Sequence, residues 1–172
     1  MKKHPRVNLN RTAASHKSNP LKASPLGILK EFFSYASPAE HAKAFDEFCR
    51  AALKEKYCWR RGSPDNALHY AEQLEGLIEA AYLLYKDRHL YRTKTIPASL
   101  TTAAYADALS YLKVFFRQAS PAKWKKWLHI FTTAALSHQS AADDMKPVAI
   151  YTFITHLQQL LSVAAAIVNK NE

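Results

Sequence analysis

The sequence predicts an all-α protein, and three observations support this fold class. The chain of 172 residues contains only 3 glycines, whereas Ala, Leu, Lys and Glu, which favour helices, are abundant. No stretch alternates apolar and polar residues for long enough to indicate a sheet. One segment also returns later in the chain at a constant spacing. We therefore expect a six-helix bundle from tandem duplication of a three-helix unit, with pseudo-twofold symmetry and a basic, mostly irregular N-terminal tail.

The repeat has a spacing of 83 residues. The segment KEFFSYASPA at residues 30–39 returns as KVFFRQASPA at residues 113–122. Between Leu29 and Asp87, roughly 17 of about 59 residues are identical to the residue 83 positions later, against about four expected by chance. Ser-Pro, Phe-Phe and Pro64 all stay in register, so a shared alanine-rich composition does not account for the similarity. The pattern indicates an internal duplication.

The repeat and the distribution of charge suggest four segments. Residues 1–25 form a basic flexible tail, and residues 26–87 form the first three-helix repeat. Residues 88–98 form a basic connector, and residues 99–172 form the second repeat. A chain of this length is sufficient for one domain with a real core, so both repeats are expected to share one globular domain.

The first and third helices of each repeat follow from prolines and apolar periodicity. We predict a short first helix at about residues 26–35, because prolines upstream block earlier turns, and a longer equivalent at about 100–118. The third helix is expected at 64–86, where Asp65 in the first turn complements the helix dipole. Its equivalent is expected at 147–168.

The second helix has the clearest start signal. Ser37 is expected to cap it, with Pro38 at the first helical position and Glu40 completing a capping box. This helix is predicted to run to about Tyr57, and its equivalent to run over residues 121–138.

Helical spacing identifies a candidate core on the second and third helices. In the first repeat the core residues are His41, Phe45, Phe48, Ala52, Tyr70, Leu74, Leu77, Ala81 and Leu84. Their equivalents in the second repeat are Trp124, Leu128, Phe131, Ala135, Phe153, Leu157, Leu160, Ala164 and Ile167.

The last helix has no charged residue between Pro147 and Val168, and that length could cross a bilayer. However, His156 and Gln158 lie near its centre, and the equivalent helix carries three glutamates on one face. We therefore predict no membrane span. The helix is expected to be buried all round at the centre of the bundle, or to form a subunit interface.

The formal net charge of +10 is unevenly distributed. Residues 1–30 contain seven Lys and Arg and no acidic residue, so this tail could bind phosphates or an acidic partner. The alternative is a solvated leader without a ligand. Cys49 and Cys58 make no disulfide framework and are expected to be buried thiols. With no secretory signal at the start, a cytoplasmic location is the prediction.

Three clusters mix basic and aromatic side chains, a combination that suits single-stranded nucleic acid because cations contact phosphates and rings stack on bases. They lie at residues 57–62, 86–94 and 123–127. With the tail, they give the candidate nucleic-acid-binding residues Lys2, Lys3, Arg6, Arg11, Lys17, Trp59, Arg60, Arg61, Arg88, Tyr91, Arg92, Lys94, Lys123 and Lys126. The alternative is structural: the tryptophans pack inward and the cations cover the outer surface.

No catalytic or metal-binding motif is found. The chain lacks a glycine-rich phosphate loop, a zinc helix motif and a Cys-x-x-Cys pair. His69 and Glu72 lie one turn apart, but the other carboxylates that a metal site in a bundle needs are missing. We expect no cofactor, no metal and no catalytic residue. An enzyme would need a polar pocket between the repeats, lined by His69, Glu72, His129 or His156.

The sequence thus favours a non-enzymatic accessory protein that binds RNA or single-stranded nucleic acid through its basic tail and loops. The alternative is a protein-interaction module, either a homo-oligomer or a subunit of a larger assembly, that uses the uncharged helix 147–168.

Overall fold

The computed structural model describes residues 24–54, 63–86 and 102–169. Within these residues the secondary structure is entirely α-helical, with seven helices and no strand. The all-α prediction is confirmed for this part of the chain. Most of the predicted tail (1–25) and the whole predicted connector (88–98) lie outside it.

Seven helices are present in the described residues. They are α1 (Pro25–Ser34), α2 (Pro38–Leu53), α3 (Pro64–Lys86), α4 (Thr102–Gln118), α5 (Pro121–Ala135), α6 (Ala141–Asp144) and α7 (Pro147–Asn169). The bounds of α3 and α7 differ by 83 residues at both ends, and the starts of α2 and α5 differ by the same number.

Serine caps and prolines set where three helices begin. Ser24, Ser37 and Ser120 each precede a proline, and the hydroxyl of each accepts a backbone N–H from the first turn. At Ser37 the capping box is complete, because the Glu40 carboxylate accepts the Ser37 backbone N–H at 2.8 Å. Each cap satisfies an N–H group that the helix itself leaves unpaired.

Two helices end earlier than the sequence predicts. α2 ends at Leu53 rather than near Tyr57, because the backbone of Lys54 is extended. α5 ends at Ala135 rather than near His138, and just beyond it the Ser137 hydroxyl accepts the backbone N–H of Gln139 at 3.2 Å, a local bond that competes with the helix.

The expected number of six helices is wrong for the described residues, because α6 is an additional short helix. Ser140 caps it, and Asp143 completes a second capping box. The Ser140 hydroxyl also donates to the carbonyl of Leu53 at 3.2 Å, which ties α6 to the end of α2. The equivalent residues of the first half, 58–61, lie outside the described residues.

The two halves of the chain pack mainly against each other. α2 lies against α5 and α7, and α3 lies against α4 and α5. α1 contacts both α3 and α7, and α4 contacts both α7 and α3. The same set of contacts results when α1, α2 and α3 are exchanged with α4, α5 and α7. Neither half therefore completes its core alone.

Every core residue predicted from helical spacing is buried. Large apolar side chains shield one another from water, which is the main favourable term in folding. Phe48 and Phe131, which are equivalent residues, approach each other with ring centroids 6.4 Å apart. The ring centroids of Phe131 and Phe153 lie 4.4 Å apart. The core thus joins both halves.

α7 is not buried all round, so that alternative of the sequence analysis is wrong. Phe153, Leu157 and Leu160 face the core, but Tyr151 is 71% exposed and Val148 is 76% exposed. By length and apolar composition alone, Pro147–Val168 could cross a membrane; 39% of its most apolar window is buried in the bundle. The helix therefore has one face in the core and one uncharged face in contact with solvent.

Candidate functional site

Twelve of the fourteen candidate nucleic-acid-binding residues lie outside the described residues. They are Lys2, Lys3, Arg6, Arg11, Lys17, Trp59, Arg60, Arg61, Arg88, Tyr91, Arg92 and Lys94. Lys123 and Lys126, on α5, are the two that the structure places, and both are exposed.

The net charge divides sharply between the helices and the remaining segments. Residues 24–54, 63–86 and 102–169 contain 11 Lys and Arg and 11 Asp and Glu. The whole chain has 24 Lys and Arg and 14 Asp and Glu. The other segments therefore hold 13 basic and 3 acidic residues, and this difference equals the full net charge of +10. The described basic residues are Lys30, Lys43, Arg50, Lys54, Lys86, Lys113, Arg117, Lys123, Lys125, Lys126 and Lys146. The described acidic residues are Glu31, Glu40, Asp46, Glu47, Asp65, Glu72, Glu75, Glu79, Asp107, Asp143 and Asp144.

The basic-aromatic cluster on α5 is mainly structural. Trp124 is fully buried and stacks on Phe115 with ring centroids 4.2 Å apart, and Trp127 is 8% exposed. Neither indole is accessible for stacking on a base, so the inward-packing alternative is correct for both. Lys123 lies over the Trp127 ring at 5.0 Å from its centroid. That cation–π contact anchors one lysine to the helix surface.

Lys125 joins α5 to the acidic face of α3. Its ammonium donates to Glu79 and lies 3.0 Å from a carboxylate oxygen of Glu75. The hydrogen bond with Glu79, followed by the one with Glu75, raises the pKa of Lys125 above its ordinary value. Lys125 is thus neutralised by the first half of the chain, and only Lys123 and Lys126 of this cluster remain as candidates for phosphate contact.

The two basic connecting segments join α3 at opposite ends. Residues 55–62 precede its first residue, and residues 87–101 follow its last. A helix of 23 residues is about 34 Å long at 1.5 Å per residue. The attachment points of the two segments are therefore separated by about the length of ten phosphates along one strand of B-form DNA.

α3 and α7 present equivalent outer faces with different chemistry. The outer face of α3 carries Asp65, Leu68, Glu72, Glu75 and Glu79. The equivalents on α7 are Val148, Tyr151, Thr155, Gln158 and Ser162. The acidic face of α3 receives Lys125, whereas the uncharged face of α7 leaves two large apolar side chains exposed.

A groove lies between α3 and the first two helices. It consists of two adjoining cavities of about 370 Å³ and 230 Å³, which share Tyr35, His69 and Gln73 as a common wall. We call these two cavities the first-half groove. The larger cavity is also lined by Glu40, His41, Ala44, Asn66 and Tyr70, and the smaller one by Ile28, Glu31, Phe32 and Glu72.

His41 forms the floor of the larger cavity and is 2% exposed. Its ring stacks on Phe32 with centroids 4.0 Å apart, and its Nε2 lies 3.0 Å from the Phe32 carbonyl oxygen. The Tyr70 hydroxyl donates to the His41 carbonyl at 3.0 Å. These hydrogen bonds hold α1, α2 and α3 together at the groove.

Tryptophans occupy the equivalent positions in the second half. His41 corresponds to Trp124, and both rings stack on the equivalent phenylalanine, Phe32 or Phe115. Ala44, a small side chain in the groove wall, corresponds to Trp127. The bulk of the two indoles replaces the open space that Ala44 leaves in the first half.

The four residues named for an enzyme pocket between the repeats do not all line the first-half groove. His69 and Glu72 line the first-half groove, whereas His129 and His156 do not. His156 contacts the Tyr111 hydroxyl, which donates to the His156 carbonyl at 2.7 Å, and burial lowers the pKa of His156. Among the described residues, no group of three or more His, Cys, Asp or Glu could hold a metal ion.

No protein-family model matches the chain, and no curated protein or solved structure matches it either. The first-half groove was not predicted from the sequence. The signal was present in the repeat, where Ala44 aligns with Trp127, but a substitution of this kind reveals a cavity only once the neighbouring helices are in place.

Proposed function

We propose that this protein is a non-enzymatic helical accessory protein of the cytoplasm that binds RNA or single-stranded nucleic acid through its basic segments. The helical body serves as a scaffold that separates those segments. The observation that carries the proposal is the division of charge: the described body is neutral, and all of the +10 lies in the tail and the other segments outside it. Clustered cations of this kind bind phosphates by releasing counterions.

The spacing of the basic segments favours an extended ligand. The segments 55–62 and 87–101 join α3 about 34 Å apart, and each combines arginine with an aromatic residue. Strands that reach both segments gain from linked binding, because the second contact becomes intramolecular. We therefore expect a 20-nucleotide strand to bind at least about tenfold more tightly than a 5-nucleotide strand.

The origin of the helical body is a second part of the proposal. We infer that the body arose by tandem duplication of a three-helix unit with pseudo-twofold symmetry. The support is the 83-residue register of the helix bounds, the contact pattern that is conserved when the halves are exchanged, and the approach of Phe48 to Phe131.

Fluorescence anisotropy of labelled single-stranded RNA, titrated with the full chain across a salt series, tests the function. The affinity should fall with salt, with a slope of about 0.7 per phosphate contact. Changing Arg88, Arg92 and Lys94 to glutamine should weaken binding and reduce the slope by about two. The matched control changes Lys30, Lys43 and Lys113 on the body, and its slope should stay the same. Absence of binding at low salt would contradict the proposal.

The uncharged outer face of α7 supports a second candidate function, a protein-interaction module that assembles as a homo-oligomer. Tyr151 and Val148 are the most exposed large apolar side chains in the part of the chain that the structure describes. Sedimentation velocity should show an oligomer that Tyr151→Glu dissociates. The matched control is Leu68→Glu, at the equivalent position of α3, which should leave assembly unchanged. A monomer at all concentrations would contradict this function.

A further inference from the structure

We propose that the first-half groove is a binding site for an organic cation, an alkylammonium or guanidinium group on an aliphatic stem. Its larger cavity, about 370 Å³, falls within the usual size of small-ligand sites. This site is separate from the basic segments of the proposed function. It is formed by α1, α2 and α3.

The charge of the groove selects a cation. Three carboxylates line the two cavities, those of Glu31, Glu40 and Glu72, and no Lys or Arg is among the described lining residues. Glu31 accepts a hydrogen bond from the Tyr35 hydroxyl at 3.4 Å, and Glu72 lies 3.9 Å from Nδ1 of His69. An acidic groove in a chain of net charge +10 attracts cations and repels phosphates.

Aromatic rings supply the second part of the recognition. Tyr35 is 59% exposed, and its ring stands edge-on to His69 with centroids 6.1 Å apart. Phe32 and Tyr70 line the cavities on either side of that pair. Aromatic faces attract cations through their quadrupoles and also pack against aliphatic stems. The combination of carboxylates and rings therefore fits a cation with an apolar stem better than a metal ion.

The second half of the chain lacks the three carboxylates and the exposed tyrosine of this groove. Glu31, Glu40 and Glu72 correspond to Val114, Lys123 and Thr155, respectively. Tyr35 corresponds to Gln118. Trp127 stands at the position of Ala44. The corresponding region of the second half therefore lacks both the negative charge of the groove and the space that Ala44 leaves. The cation site is thus confined to one half of an otherwise matching pair.

Calorimetric titration of the full chain with diaminooctane, against octanediol as the matched neutral ligand, tests this site. The diamine should bind and the diol should not. The double variant Glu31→Gln, Glu72→Gln should weaken diamine binding at least about tenfold, whereas the control Asp144→Asn on α6 should leave it unchanged. Equal binding of diamine and diol, or unchanged binding in the double variant, would overturn the proposal.

A second variant fills the groove. Ala44→Trp introduces the residue that the second half carries at Trp127, and it should abolish diamine binding while circular dichroism shows a retained helical fold. If the variant fails to fold, the double glutamine variant still decides the outcome.

The cation could be a free amine or a lysine or arginine side chain of the chain itself. A full-length variant with the six Lys and Arg between Lys2 and Lys22 changed to glutamine distinguishes these sources. Tighter diamine binding in this variant identifies the chain's own side chains as competitors. Equal binding identifies a free amine as the ligand. Failure of the diamine to bind both this variant and the unmodified chain would overturn the proposal.

Discussion

The rings of Phe48 and Phe131 lie 6.4 Å apart between their centroids, although 83 residues separate them in the chain. Both side chains are fully buried. Each occupies the same position in its half, one on α2 and the other on α5, which contact each other. The pair therefore lies where the two halves meet.

The first prediction concerns this pair. Phe48→Ala or Phe131→Ala should each lower the free energy of unfolding by about 3 to 5 kcal/mol, because each leaves a cavity in the core. The double variant should lose less than the sum, with a coupling of about 0.5 to 3 kcal/mol, since the rings are close neighbours. Urea unfolding measures all three. Val114→Ala, on the exposed surface of α4, is the control. Additive losses would contradict the predicted coupling.

The second prediction concerns pH. Burial lowers the pKa of His156 in the folded protein, so the unfolded chain binds this proton more readily. The corresponding stability is fully present above the ordinary pKa of about 6.5 and is lost as the pH falls through the lowered folded pKa. His156→Gln, which introduces the residue found at the equivalent position 73, should have a melting temperature that falls less between pH 7 and pH 5. An unchanged pH profile would show that another group controls stability in that range.

The third prediction concerns Lys125. Its ion pairs with Glu75 and Glu79 are partly exposed, so Lys125→Met should cost less than about 1 kcal/mol. Lys125→Glu should cost more, because it places three carboxylates together. Adding Glu79→Lys to that variant should restore part of the loss. Thermal unfolding at low and high salt measures these effects, which salt should reduce. Lys126→Met is the control, and an equal effect there would contradict a specific role of Lys125.

The fourth prediction concerns Cys49. Burial, with a smaller effect from the charge of Asp46, raises the pKa of this thiol far above its usual range. In a Cys58→Ser background, Cys49 should react with a thiol reagent at pH 8 at least about tenfold more slowly than glutathione does. Unfolding in guanidinium should remove the difference. A rate equal to that of glutathione in the folded protein would contradict the burial of Cys49.

Much of the fold could be predicted because short-range signals and the repeat agreed. The Ser-Pro starts of α2 and α5 were predicted to the residue, and all core residues chosen by helical spacing are buried. The helix ends at Leu53 and Ala135 were missed. The first follows from the extended backbone of Lys54 and the second from a local hydrogen bond between Ser137 and Gln139, and neither leaves a periodic trace. α6 was also missed, since four residues are too few to show a period.

The candidate sites were harder to predict, because they depend on distances between helices. The sequence suggested that Lys125 belonged with other cations, but its position beside α3 pairs it with two glutamates. The opening beside Ala44 likewise depends on what His41 and Tyr70 leave unfilled. Residue types along one helix cannot specify such volumes until the packing partners are known.

The mutual packing of the halves has a consequence during synthesis on the ribosome. The main partner of α2 is α5, whose matching residues emerge 83 positions later. At about 5 to 20 residues per second, α2 waits roughly 4 to 17 seconds for its partner. During this interval Phe45 and Phe48 have no completed core to enter, so the nascent chain exposes its most apolar surface until its second half is translated.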